Sequence, residues 1–170
     1  MQPFLKVYSM RNFFTLRTVA WQNDKVCLID QTKLPGRLSY VRCRTCQDVA
    51  EAIRTMVVRG APAIGVAGAM GMALAALEST ATTRSSLLRN LERAQKTLDM
   101  TRPTAVNLSW ATKRILDLAK SVEGKPEPIV EAVIEEAKAM ADEDVEINKK
   151  LGKNGAALLK DGDVVLTHCN

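Results

Sequence analysis

The chain of 170 residues is long enough for one full-sized domain with its own core. Its 46% hydrophobic and 25% charged residues exclude a disordered chain, and aromatics at only 4% predict an aliphatic, mostly helical core. The formal charge of +5 comes from scattered lysines and arginines, with no basic run interleaved with aromatics; this argues against nucleic acid and leaves room for an anionic small molecule.

The first fifteen or so residues show no firm periodicity. "LRTVAW" and "KVCLID", between Leu16 and Asp30, flank the turn dipeptide Asn23-Asp24 and read as a β-hairpin. "QTKLPGRLSYVRC" adds a third short strand after a Pro35-Gly36 turn. Residues 1–44 are therefore expected to form a small antiparallel sheet region. Cys27, Cys43, Cys46 and Cys169 make no disulfide-like framework, and no signal peptide is recognisable, so a reducing, cytoplasmic setting is predicted. Cys43 and Cys46 are a lone Cys-x-x-Cys pair without a second pair or a histidine partner; the spacing is read as accidental and no metal site is expected.

From Thr45 the pattern turns helical, over residues 45–160. Thr45 should cap "CQDVAEAIRTMVV" with Asp48 as its capping-box partner, and Val49, Ile53 and Met56 or Val57 give that helix one apolar face. "RGAP" interrupts, and Pro62 suits the first turn of the next helix, Ala61 to Leu77. That segment carries no charge but falls short of the roughly 20 residues a membrane span needs, so a buried core helix is predicted. Its Gly65, Gly68 and Gly71 would let another backbone approach closely. "SSLLRNLERAQKTLDM" lines up Leu87, Leu88, Leu91, Ala94 and Leu98. "NLSWATKRILDLAK" lines up Leu108, Ala111, Ile115 and Leu118, with Asn107 as its cap. After Gly124-Lys125-Pro126 comes one long helix, or two joined near Gly152. Asp161-Gly162 then turns the chain into a closing strand, residues 161–170.

Three stretches can carry chemistry. "VVRGAPAIG" sets Arg59 and Gly60 directly before a helix start, where free amides and the helix dipole favour an anion; taken alone, such a turn is generic. "TRPTAVNL" holds Arg102 extended before a proline, in what is equally an ordinary connecting loop. "LTHCN" carries a thiol, Cys169, at the end of an apolar strand. His168 is its neighbour in sequence, but adjacent strand residues point to opposite faces, and a single cysteine is most often structural.

"LRTVAW", "LIDQTKLP", "MVVRGAPAIGVAGAMGMALAA", "TRPTAVNL", "EDVEINKKLGKNGAALL" and "DGDVVLTHCN" together, in register from Leu16 to Asn170, resemble the amino-terminal half of the methylthioribose-1-phosphate isomerase family. The wider superfamily includes ribose-1,5-bisphosphate isomerase and the regulatory alpha, beta and delta subunits of initiation factor 2B, which stand as the alternative readings. The resemblance implies an α+β amino-terminal domain, a small antiparallel sheet plus a helical bundle, leading into the first strand of a truncated Rossmann-like α/β domain. It implies an aldose–ketose isomerase of methionine salvage that acts on S-methyl-5-thioribose 1-phosphate, with Cys169 catalytic and Arg59, Gly60, Ala61 and Arg102 binding substrate. The family's catalytic aspartate lies beyond residue 170, so these residues alone are expected to be an inactive fragment. No metal or organic cofactor, no nucleic acid and no membrane partner is implied. The full-length protein is expected to be a cytoplasmic homodimer.

Overall fold

In the computed structural model, which describes residues 16–166, Asn23 and Asp24 both take positive φ, 50° and 56°. That is the backbone of a type I′ turn, whose twist matches the strands it joins, and Gln22 and Lys25 close it with reciprocal N–H···O bonds of 2.9 and 3.1 Å. The hairpin so formed pairs β1 (Val19–Trp21) with β2 (Val26–Ile29), placing Val19 opposite Leu28 and Trp21 opposite Val26. β3 (Tyr40–Cys43) adds antiparallel on the other edge, with Val26 opposite Cys43 and Ile29 opposite Tyr40. β2 is the central strand and all four of its residues are buried.

Thr45 begins the helical part as expected. Its hydroxyl accepts from the Asp48 N–H at 3.0 Å, while the Asp48 carboxylate accepts from the N–H groups of Arg44 and Thr45 at 2.8 and 3.1 Å. α1 (Cys46–Arg54) is shorter than predicted. Met56 swings to φ +59° and is half exposed, so the apolar face is Val49 and Ile53, continued by the buried Val58 beyond the helix. The Val58 N–H, given back to the Ala52 carbonyl at 3.2 Å, fixes this reversal.

α2 (Ala61–Leu77), with Pro62 in its first turn, is the central helix. It touches the other four helices as well as β1 and β2, which is why it carries no charge: a helix buried all round has no face for one. α3 (Arg84–Asp99) is capped by Thr83 and buries Leu87, Leu91, Ala94 and Leu98, with Leu88 half-buried at the rim. α4 (Val106–Ser121) buries Leu108, Ala111 and Ile115, while Leu118 is only half-buried and Thr112, Leu116 and Ala119 complete the face.

α5 is one helix, Pro126–Ala156, running unbroken through Gly152. Its first half buries Ile129, Val133, Ala137, Met140 and Ala141; past Ala141 none of its residues is buried. Arg114 ties it to α4, forking onto Glu143 at 2.7 and 2.9 Å and reaching Glu136 at 2.6 Å, with its guanidinium 5.6 Å from the Trp110 ring centre. No helix among the described residues is long and apolar enough to cross a membrane.

Val164 to Leu166 make no strand among the described residues. They are irregular, with Val164 99% and Leu166 97% exposed. A strand is held by the ladder of a neighbour, and no described residue pairs with these.

Candidate anion site at two helix starts

Arg59 and Gly60 sit where the chain must turn from the α1 reversal into α2. Gly60 takes φ +97°, a backbone that an L side chain rarely adopts. A Cβ there would meet nothing within 4 Å, so glycine is needed for its conformation and not for space. Ala61 is the first residue of the helix, and Arg59, Gly60 and Ala61 are all exposed.

The Arg102 loop is built just as locally. Thr101 folds back on α3, giving its N–H and hydroxyl to the Leu98 carbonyl at 3.0 and 2.6 Å. Arg102 to Ala105 is a turn closed by the Ala105 N–H on the Arg102 carbonyl at 2.9 Å, with Pro103 in the position whose φ it presets. Below the loop, the buried Thr112 donates its hydroxyl to the Asp99 carboxylate at 2.7 Å and pins the end of α3 to α4. Sequence reasoning passed over this pair.

One correction concerns Asn107. It is not the cap: the N-cap is Ala105, two residues earlier, and no side chain caps α4. The reason is the Arg102–Ala105 turn, which already orients the Ala105 carbonyl to accept from Leu108 and Ser109, at 2.9 and 3.4 Å. Asn107 instead lies against α2. A Cβ on Gly65 would be 3.0 Å from its carbonyl oxygen, and one on Gly68 would reach Leu108 and Thr112.

Those contacts advance together along both helices, so α2 and α4 run in the same sense and begin at the same end of the bundle. Gly65 is about one turn, roughly 6 Å, inside the start of α2. The Arg102 loop therefore rises beside the first turn of that helix. Arg59, Gly60, Ala61 and Arg102, separate in sequence, belong to one end of the fold.

The electrostatics of that end favour an anion. α1 and α3 satisfy their first amides with capping boxes, whereas α2 and α4, like α5, have no side-chain cap. The N–H groups of Gly60, Ala61 and Ala63, and of Val106 and Asn107, have no acceptor among the described residues. Nor do the Arg59 and Arg102 guanidinium groups have an ion-pair partner among them. Two uncapped helix starts and the two arginine loops that lead into them thus lie at one end of the bundle, an arrangement that favours an anion.

Of the remaining sequence candidates, His168 and Cys169 lie outside the described residues. Cys43 closes β3 and Cys46 opens α1. Burial pushes their thiols up, to about 11 for Cys43, with Asp48 and Cys27 adding to it, and to about 12 for Cys46, with Glu78 adding to it. Thiols so placed are poor nucleophiles and poor metal ligands. No group of three or more potential metal-binding side chains occurs among the described residues.

A sheet-capped helical domain that gathers two arginine loops at paired helix starts is the class of structure in hand. The chain belongs to the initiation factor 2 subunit family, whose model matches residues 57–170, beginning two residues before Arg59. It is 53% identical over 156 residues to a protein from Chloroflexus aurantiacus named methylthioribose-1-phosphate isomerase, covering 91% of this chain and 45% of that one. A protein of the same name from Thermosipho africanus is 49% identical over 153 residues, covering 90% and 44%. Among solved structures, 5-methylthioribose 1-phosphate isomerase from Pyrococcus horikoshii superposes with a TM-score of 0.85 at 42% identity, covering 92% of this chain and 44% of that one. A structure described as translation initiation factor eIF-2B subunit delta from A. fulgidus gives 0.82 at 47% identity, covering 91% and 45%. The chain thus spans a little under half the length of the relatives it matches.

Proposed function

We propose that the chain supplies the phosphate-binding portion of an aldose–ketose isomerase that converts S-methyl-5-thioribose 1-phosphate to methylthioribulose 1-phosphate. The observation that carries this reading is the convergence of the α2 and α4 starts, with Arg59 and Arg102 in the loops that lead into them. Relatives bearing the isomerase name at about half identity support the choice of sugar.

The reaction moves the hydrogen of C2 to C1 while the ring C1–O bond opens; the ring oxygen takes up a proton and the C2 hydroxyl gives one up as C2 becomes the ketone carbonyl. Substrate and product are isomers, so no external oxidant or reductant is consumed. The phosphate on C1 must stay attached while that carbon changes its bonding. Arg59, Arg102 and the amides of Gly60, Ala61 and Ala63 would hold its oxygens and fix the sugar beside the acid–base groups. Cys169 is proposed as catalytic. The aspartate that the family resemblance implies would move the protons, a task for a carboxyl of tuned pKa. A homodimer in the cytoplasm remains part of the proposal.

The match to the A. fulgidus structure favours one second reading, a regulatory subunit that keeps this fold without turnover. Calorimetric titration of methylthioribose 1-phosphate separates the two. Saturable binding that is lost in Arg59→Ala and Arg102→Ala supports the isomerase site, and absence of any binding favours the regulatory reading. Ketose formation by these 170 residues would mean that the whole catalytic set lies within them.

A further inference from the structure

We propose that Gln31 is a positioning residue for the anion site, an inference that rests on the phosphate-binding reading above. Gln31 touches the Arg59 loop twice. Its backbone N–H donates to the Val57 carbonyl at 2.9 Å, and its side-chain Nε2 donates to the Arg59 carbonyl at 3.1 Å. The loop between α1 and α2 is bracketed by two left-handed residues, Met56 at φ +59° and Gly60 at φ +97°. Val58 is anchored in the core between them. The two carbonyls that Gln31 holds belong to Val57 and Arg59, the residues on either side of Val58.

The geometry of a trans peptide gives this contact its consequence. Carbonyl and N–H of one peptide point in opposite directions. With the Arg59 carbonyl turned to Gln31, the Gly60 N–H of the same peptide is turned away from it, free to join the open amides of Ala61 and Ala63. Losing the Gln31 donor frees that peptide to rotate, since glycine at position 60 imposes little restraint of its own. A glutamine suits the task because its donor is neutral and adds no charge to compete with the two arginines.

Gln31 is itself held on a rigid turn. The buried Asp30 accepts from the Thr32 N–H at 3.0 Å and the Thr32 hydroxyl at 2.6 Å, capping the short 3-10 turn Gln31–Lys33. The Asp30 N–H is tied in turn to the Ser39 carbonyl at 2.9 Å. The sheet region therefore reaches the Arg59 loop through Gln31, which lies outside the segment that the family model covers.

Gln31→Met keeps the length of the side chain and the backbone bond to Val57 while removing only the Nε2 donor. Gln31→Glu keeps the reach but sets an acceptor against an acceptor. Inorganic phosphate titrated into the 170-residue chain, followed at the amide resonances of Gly60, Ala61 and Ala63, gives the affinity. The melting temperature gives the fold. The expected result is phosphate binding weakened about 3- to 10-fold in Gln31→Met and more in Gln31→Glu, a displaced Gly60 nitrogen resonance, and little change in melting. Equal affinity in wild type and Gln31→Met overturns the proposal. So does a loss of affinity that merely tracks loss of melting temperature in both variants. A wild-type chain whose helix-start amides ignore phosphate sinks the anion site itself and this role with it. That outcome is told apart by a Gly60 resonance that still moves in Gln31→Met.

Discussion

Gly65 and Asn107 approach so closely that a Cβ on the glycine would stand 3.0 Å from the asparagine carbonyl oxygen. This contact sets the distance between the starts of α2 and α4, and so between the two arginine loops. The obstructing atom belongs to backbone, which cannot rotate aside as a side chain can. Gly65→Ala is expected to lower stability by about 1–3 kcal/mol, the usual cost of overpacking, and to weaken phosphate binding as well. Urea denaturation with a parallel phosphate titration checks it; unchanged values in both would show that α4 yields freely.

Arg59→Ala and Arg102→Ala should each weaken sugar-phosphate binding roughly 10- to 100-fold, the worth of one hydrogen bond to a charged group. Both arginines lie in loops that add little to the core, so the melting temperature should hold. Calorimetry on the folded variants decides the matter. Unchanged affinity in either one removes that arginine from the site.

Acid should loosen the chain through Asp48 and Glu143. The Arg44 and Thr45 amides hold the Asp48 carboxyl below its ordinary range, and the Arg114 guanidinium does the same for Glu143. A carboxyl with a depressed folded pKa contributes its stability above the unfolded value, near 4, and loses it as pH falls through the folded one. Asp48→Asn should therefore be less stable than wild type at pH 7, with the two converging toward pH 3. Urea midpoints measured at both pH values test this, and parallel curves would refute it.

Alkylation should discriminate among the cysteines. At pH 8 thiols with pKa values of about 11 and 12 carry at least about a hundredfold less thiolate than an ordinary one, so Cys43 and Cys46 should resist iodoacetamide. Cys169, proposed as catalytic, should label ahead of the buried Cys27 and, on the proposed isomerase reading, be protected by sugar phosphate. Peptide mapping after brief exposure reads this directly. Uniform labelling without protection would leave Cys169 a structural residue.

Local signals set much of the architecture. Asn23-Asp24 specified its hairpin turn because few other pairs accept positive φ twice, and Thr45 with Asp48 specified a helix start because that chemistry acts over three residues. The uncharged Ala61–Leu77 run could only be a buried helix, and Arg59 and Arg102 were marked by the motifs around them. What no local signal contained was the placing of the two arginine loops at one end of the bundle. That depends on α2 and α4 entering the bundle from the same end, which contacts such as Gly65 to Asn107 decide across some forty residues of chain. Asn107 misled for the same reason: its side chain suits a cap, but the turn at Arg102–Ala105 had already started the helix. Gln31 was invisible as a site residue because its partner, the Arg59 carbonyl, is backbone and leaves no mark on sequence. The apolar run Val164 to Leu166 shows the other side of the rule. Its composition favours a strand, but strands are made by neighbours, and only tertiary structure supplies one.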